Sequence, residues 1–135
     1  MNSIQEPFLS LLLLVARIGL STVFLVSGVH KALWHAKAIE EFKLASVPLI
    51  QITLPLTIIL HFVASVCILF GFFVAEAAMS LFVFTIVATL WVFPFWRHSG
   101  EERLIQSRIA LANFGLAGGL LLLIVSGTGH YALFL

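Results

Sequence analysis

Charge is scarce in this chain. Of its 135 residues, 10% are charged and 61% are hydrophobic, whereas a soluble domain carries about 25% charged residues. No soluble core of this length hides such an apolar surplus. With a mean hydropathy of +1.16, the solvent for most of the surface is expected to be lipid. The formal net charge is only +1, and no basic patch is interleaved with aromatics over any long segment. Nucleic acid is therefore not expected as a partner.

Cysteine is nearly absent too. Cys67 stands alone inside an apolar run, which excludes intramolecular disulfides, CxxC redox chemistry and cysteine-rich metal sites. The five histidines are scattered, and none pairs with another histidine or a carboxylate at i+3 or i+4 within one apolar run, so no metal site is predicted. No nucleophile has a nearby base and no glycine loop follows a strand, so neither a hydrolase nor a nucleotide site assembles. The segment MNSIQEPF lacks the basic region of a signal peptide, and the first apolar run reads as a retained transmembrane helix. Without internal repeats, low-complexity tracts or linkers, one domain over 1–135 is expected.

What is present is four long apolar runs, at about 8–29, 50–73, 77–96 and 109–131. Each has the roughly 20 residues that cross a bilayer as a helix. The prediction is an all-α, polytopic membrane protein: a bundle of four transmembrane helices. Pro48 and Pro55 fall near the start of the second run, where proline is best tolerated. Trp91 and Trp96 mark an interface near the end of the third. Residues 32–45 show weak amphipathicity, with Trp34, Ala38, Phe42 and Ala45 opposite Lys37, Glu40, Glu41 and Leu44. They predict a short helix lying in the headgroup region.

Outside the runs, lysine and arginine occur in two places only: Lys31, Lys37 and Lys43, then Arg97, Arg103 and Arg108. The positive-inside rule puts loops 30–49 and 97–108 in the cytoplasm and both termini outside.

Arg17 is the sharpest residue. Arginine at the centre of a transmembrane helix costs about 2.5–3.5 kcal/mol to insert. Ser10, Arg17, Ser21, Phe24, Gly28 and Lys31 follow spacings of three, four and seven, so they share one face of the first helix. Small residues there let a second helix approach. Arg17 reads equally as a structural charge, snorkelled or paired, and as a contact for a ligand. His61 sits near the middle of the second run, more readily a core histidine than a ligand, and is placed to accept a hydrogen bond from Arg17 if their helices are neighbours. Asn113 is expected near the start of the fourth helix, level with Gly28 and Lys31, bonding across to helix one. Gly115 and Gly119 form a GxxxG packing pair. The candidate ligand contacts are thus Arg17, Ser21, Gly28, Lys31, His61 and Asn113.

These residues carry a family resemblance. Arg17-Ile-Gly-Leu, Phe24 and Ser27-Gly28-Val-His-Lys31 resemble the first-helix signature of the DoxX family of small four-helix membrane proteins. Pro48 before helix two, Gly71 at its end, the Phe95-Trp96 pair, and Gln106 with Asn113 and Gly118-Gly119-Leu120 resemble the rest of its pattern. The chain departs from that pattern where His61 replaces a helix-two glutamate, Pro94 a histidine and Ala112 a basic residue. The resemblance implies a place in quinone-linked membrane redox assemblies, or, from remoter relatives, a role as cargo receptor or membrane chaperone. Three functions are then expected in decreasing order. The first is a subunit of a bacterial inner-membrane redox complex, not catalytic on its own, that binds a quinone or lipid-like ligand. The second is a scaffold for partner helices or for a homo-oligomer. The third is a small-solute transporter.

Overall fold

The computed structural model describes residues 5–127. Five helices occur among them: α1 (Gln5–Leu33), α2 (His35–Leu44), α3 (Ile50–Phe70), α4 (Val74–Val92) and α5 (Gly100–Ser126), with a single 3-10 turn at Phe95–Arg97. No strand occurs in this range. Four helices are long and apolar enough to cross a membrane. Helix α1 packs along α3, α3 on α4 and α4 along α5, and α5 meets α1 to close the bundle. Helix α2 lies against α1 and α3 at one end. Large apolar side chains such as Leu56, Phe62, Val87 and Leu122 face outward, as lipid-facing surface requires.

The helix ends differ from the expected spans for identifiable reasons. Helix α1 exceeds its expected 8–29 at both ends, so the short helix expected at 32–45 starts only at His35 and ends at Leu44. Helix α3 stops at Phe70 rather than at 73 because Gly71 adopts φ 86°, and its N–H bonds the Cys67 carbonyl. That left-handed conformation suits glycine and satisfies a carbonyl left over at the helix end. Helix α4 starts three residues before Ala77 and ends at Val92 instead of 96. Pro94 disfavours helical geometry at Phe93 and brings no N–H to continue the ladder.

The largest correction concerns α5. Expected from 109, it begins at Gly100, so most of the anticipated basic loop is helical. Glu101 and Glu102 occupy its first turn, where carboxylates complement the positive end of the helix dipole. Charges read as a loop are the opening turns of a helix. With 27 residues, α5 is about 40 Å long and exceeds the roughly 30 Å hydrocarbon core, so it tilts or projects beyond it. The expected end of this span, at 128–131, and both chain termini lie outside the described residues.

At the α2 end, the Trp91 indole donates to the Ala45 carbonyl at 2.9 Å, fastening the C-terminal end of α2 to α4. Ala38 is the buried residue of α2, Phe42 is half-buried, and Lys37, Glu40, Glu41 and Leu44 are exposed. Trp34, expected on one face with Ala38, Phe42 and Ala45, is 56% exposed and stands at the joint between α1 and α2.

Candidate functional site between helices one and three

The polar face of α1 is turned inward. Ser10, Arg17 and Ser21 are 4%, 0% and 2% exposed, Phe24 and Gly28 are buried, and Lys31 is half-buried in the last turn of α1. Ser21 is held by its own helix, its hydroxyl donating to the Arg17 carbonyl at 2.6 Å.

At Gly28, α1 and α3 approach closely. A Cβ there would stand 3.1 Å from the His61 Cβ and 3.5 Å from the Ile58 carbonyl oxygen. Glycine at this position admits the facing helix, as small residues do in membrane interfaces. His61 is thereby pressed against α1 and is only 3% exposed. Phe24 meets its ring edge-on at 5.5 Å and Phe84 of α4 at 4.7 Å. Its carbonyl accepts from the Ser65 hydroxyl. Neither ring nitrogen, Nδ1 or Nε2, has a hydrogen-bond partner. Leaving a buried polar group unbonded costs about 1–3 kcal/mol, and such groups in native proteins are rare. The imidazole is thus positioned between three helices with one donor and one acceptor to offer.

The expected bond from Arg17 to His61 does not form, although their helices are neighbours. Arg17 lies eleven residues before Gly28, which is about 16 Å along the helix axis. Asn113 is also placed differently. Because α5 starts at Gly100, Asn113 falls mid-helix, and its Nδ2 donates to Thr89 Oγ1 of α4 at 3.1 Å rather than to α1. The two glycines of GxxxG part company. Gly119 lies against Leu20 of α1, its Cβ position 3.4 Å from Leu20 Cδ2, whereas Gly115 has open space around it. The structure therefore gathers Gly28 and His61, puts Lys31 one turn beyond Gly28, and leaves Arg17, Ser21 and Asn113 elsewhere in the bundle.

Two residues of α4 escaped the sequence reading. Thr85, 5% exposed, has no hydrogen-bond partner for its hydroxyl, and Thr89, 1% exposed, receives Asn113. Their signal was the i, i+4 spacing of two threonines in the apolar stretch of α4 after Ser80.

At the α2 end a cleft of about 420 Å³ opens between α1 and α2, lined by Ser27, His30, Lys31, Trp34, Lys37, Ala38 and Glu41. Lys31 Nζ donates to Ser27 Oγ at 2.6 Å, which fixes the ammonium in the cleft wall. Trp34 meets His30 edge-on at 5.1 Å. Glu41 is within electrostatic range of Lys31, and Lys31 within range of His61. No group of three or more histidine, cysteine or acidic side chains able to hold a metal occurs among the described residues.

Comparison with known proteins agrees with a membrane protein. The sequence profile of the DoxX family matches residues 12–94, more than half of the chain. Inner membrane protein YqjF of Escherichia coli K12 is 32% identical over 120 residues, covering 89% of this chain and 87% of the relative. Inner membrane protein YphA of the same organism is 23% identical over 122 residues, covering 90% and 87%. No solved structure matches the chain.

Proposed function

The chain belongs to the DoxX family of integral membrane proteins, and from that premise we propose that it is a subunit, not catalytic alone, of a quinone-linked inner-membrane redox complex. In this reading it holds the oxygen-bearing head of a quinone or lipid-like molecule against the seam of α1 and α3. One observation carries the proposal: His61 is buried between Phe24, Phe84 and Gly28 with both ring nitrogens unbonded. A quinone carbonyl accepts the hydrogen bond that the imidazole N–H offers, and the flanking aromatic edges suit a flat ring. Lys31, one turn beyond Gly28, supplies a cation toward the same end. Arg17 is then a structural charge of the bundle interior, since it lies far along α1 from His61. The inner-membrane location follows the relatives, and the basic segments around Lys37 and Arg103 are cytoplasmic with both termini outside, as the positive-inside rule has it.

Purification in mild detergent, followed by extraction and chromatography of bound quinones and lipids, tests the proposal. Co-purifying quinone in near-stoichiometric amount is expected. Absence of quinone, together with no affinity on titration, refutes the redox assignment. A periplasmic reporter that is active when inserted at Lys37 overturns the orientation.

A second reading has its own support. Gly115 and Gly118 of α5 have no atom within 4 Å of their Cβ positions, so that side of α5 has room for a partner helix in close contact. A scaffold that gathers partner helices, or a second copy of the chain, uses this face. Cysteine crosslinking from Gly115 to a co-purified chain is its test.

A further inference from the structure

The cleft between α1 and α2 has features that the His61 seam does not use. Its walls carry both signs of charge: the ammonium groups of Lys31 and Lys37 and the carboxylate of Glu41, with the Trp34 indole beside them and Ala38 among the lining residues. Lys31 is not a free-swinging side chain, because Ser27 one turn earlier receives its Nζ at 2.6 Å. A simple anion would satisfy the lysines and be repelled by Glu41. A simple cation would have the reverse problem. A group that carries a phosphate and an ammonium a few bonds apart satisfies both signs, and Trp34 offers a ring face to the ammonium.

The surroundings point to where such a group comes from. Moving from the cleft back along α1, Val26 and Val23 precede His30 and Ser27 by four residues, so they continue the cleft-lining stripe toward the membrane middle. Both are exposed, at 45% and 49%. Gly19, one turn further, has nothing within 4 Å of its Cβ position. A charged cleft thus runs into an open apolar strip on a lipid-facing helix, which is the shape of a headgroup followed by an acyl chain. At about 420 Å³ the cleft falls within the roughly 300–1,000 Å³ of small-ligand sites.

We propose that the α1–α2 cleft is a phospholipid site selective for phosphoethanolamine headgroups, with Lys31 and Lys37 on the phosphate, Glu41 and Trp34 on the ammonium, and an acyl chain along Val26, Val23 and Gly19. The site shares Lys31 with the seam but does not depend on any quinone being bound there.

Native mass spectrometry of the full chain in dodecyl maltoside micelles reads the site directly. The probes are phosphatidylethanolamine, phosphatidylglycerol, glycerophosphoethanolamine and inorganic phosphate. Phosphatidylethanolamine is expected to bind one per chain and severalfold more tightly than phosphatidylglycerol, while the two soluble probes bind far more weakly for want of the acyl chain. Glu41→Gln is expected to abolish the preference between the two lipids, and Lys37→Gln to weaken both. Both side chains are exposed, so neither substitution disturbs the bundle. If Lys31→Met fails to fold, these two variants still decide the question. Equal binding of the two lipids by the unmodified chain, a preference for phosphatidylglycerol, or inorganic phosphate competing as well as lipid overturns the proposal. So does an undiminished preference in Glu41→Gln.

Discussion

The seam between α1 and α3 and the cluster around α4 and α5 are built from opposite materials. The inward faces of α1 and α3 bury Ser10, Arg17, Ser21, Thr57, His61 and Ser65. The apolar cluster is Val74, Ala77, Ala78, Leu81, Leu120 and Leu123, completed by Ala64 and Ile68 of α3 and Phe24 of α1, with Thr85 and Thr89 as the buried polar residues of α4. Among the described residues of α5 no polar side chain is buried whole, although Gln106 Oε1 is buried without a hydrogen-bond partner. In a bilayer, apolar contacts between helices gain nothing from leaving water, because lipid is as apolar as leucine, and only close packing holds them. Either material packs; the polar one has to meet its hydrogen bonds as well. Ser21 and Ser65 do so by bonding carbonyls one turn back on their own helices. The His61 ring nitrogens do not. The cluster therefore serves stability, while the seam carries a group that packing alone does not explain.

Substitutions in the two regions sharpen that contrast. Leu81→Ala, at 0% exposure in the cluster, should have the largest effect on stability. It leaves a cavity in a tightly packed place and is expected to cost about 2–5 kcal/mol, seen as a lower midpoint of thermal unfolding in detergent. Gly28→Val comes next. Its Cβ would stand 3.1 Å from that of His61, and overpacking of this kind costs about 1–3 kcal/mol. An unchanged midpoint there would mean that α1 and α3 are not in close contact. Asn113→Ala removes the bond to Thr89 and should cost only about 0.6 kcal/mol, the average for such bonds between membrane helices. Gly115→Ala should leave the midpoint of the isolated chain where it was, because nothing lies within 4 Å of the new methyl group. A clear loss would place α5 in a tighter environment than the bundle provides.

The contrast also explains what was legible in the sequence. Four membrane helices follow from composition and run length, and the inward stripe of α1 from spacing alone, since Ser10, Arg17, Ser21, Phe24 and Gly28 recur at helical intervals and all are buried. Helix ends were less legible where charge and helix coincide. Glu101, Glu102 and Arg103 read as loop because they are polar, yet helical geometry tolerates them outside the bilayer core. Pro94 was in plain view as a stop for α4. Pairings between helices were the least legible. Whether Asn113 reaches α1 or α4 depends on the rotation of α5, and whether Arg17 reaches His61 depends on the relative height of two antiparallel helices. One sequence specifies neither.

The central claim is that His61 is kept in the seam for a ligand rather than for the fold. His61→Leu tests it most directly, by comparing bound quinone and lipid in the purified variant and the unmodified chain alongside their unfolding midpoints. The expected variant is at least as stable, by about 1 kcal/mol or more because two unbonded buried nitrogens are gone, and has lost its co-purifying quinone while keeping any lipid of the α1–α2 cleft. A variant that unfolds earlier while retaining quinone at the same stoichiometry would contradict that claim.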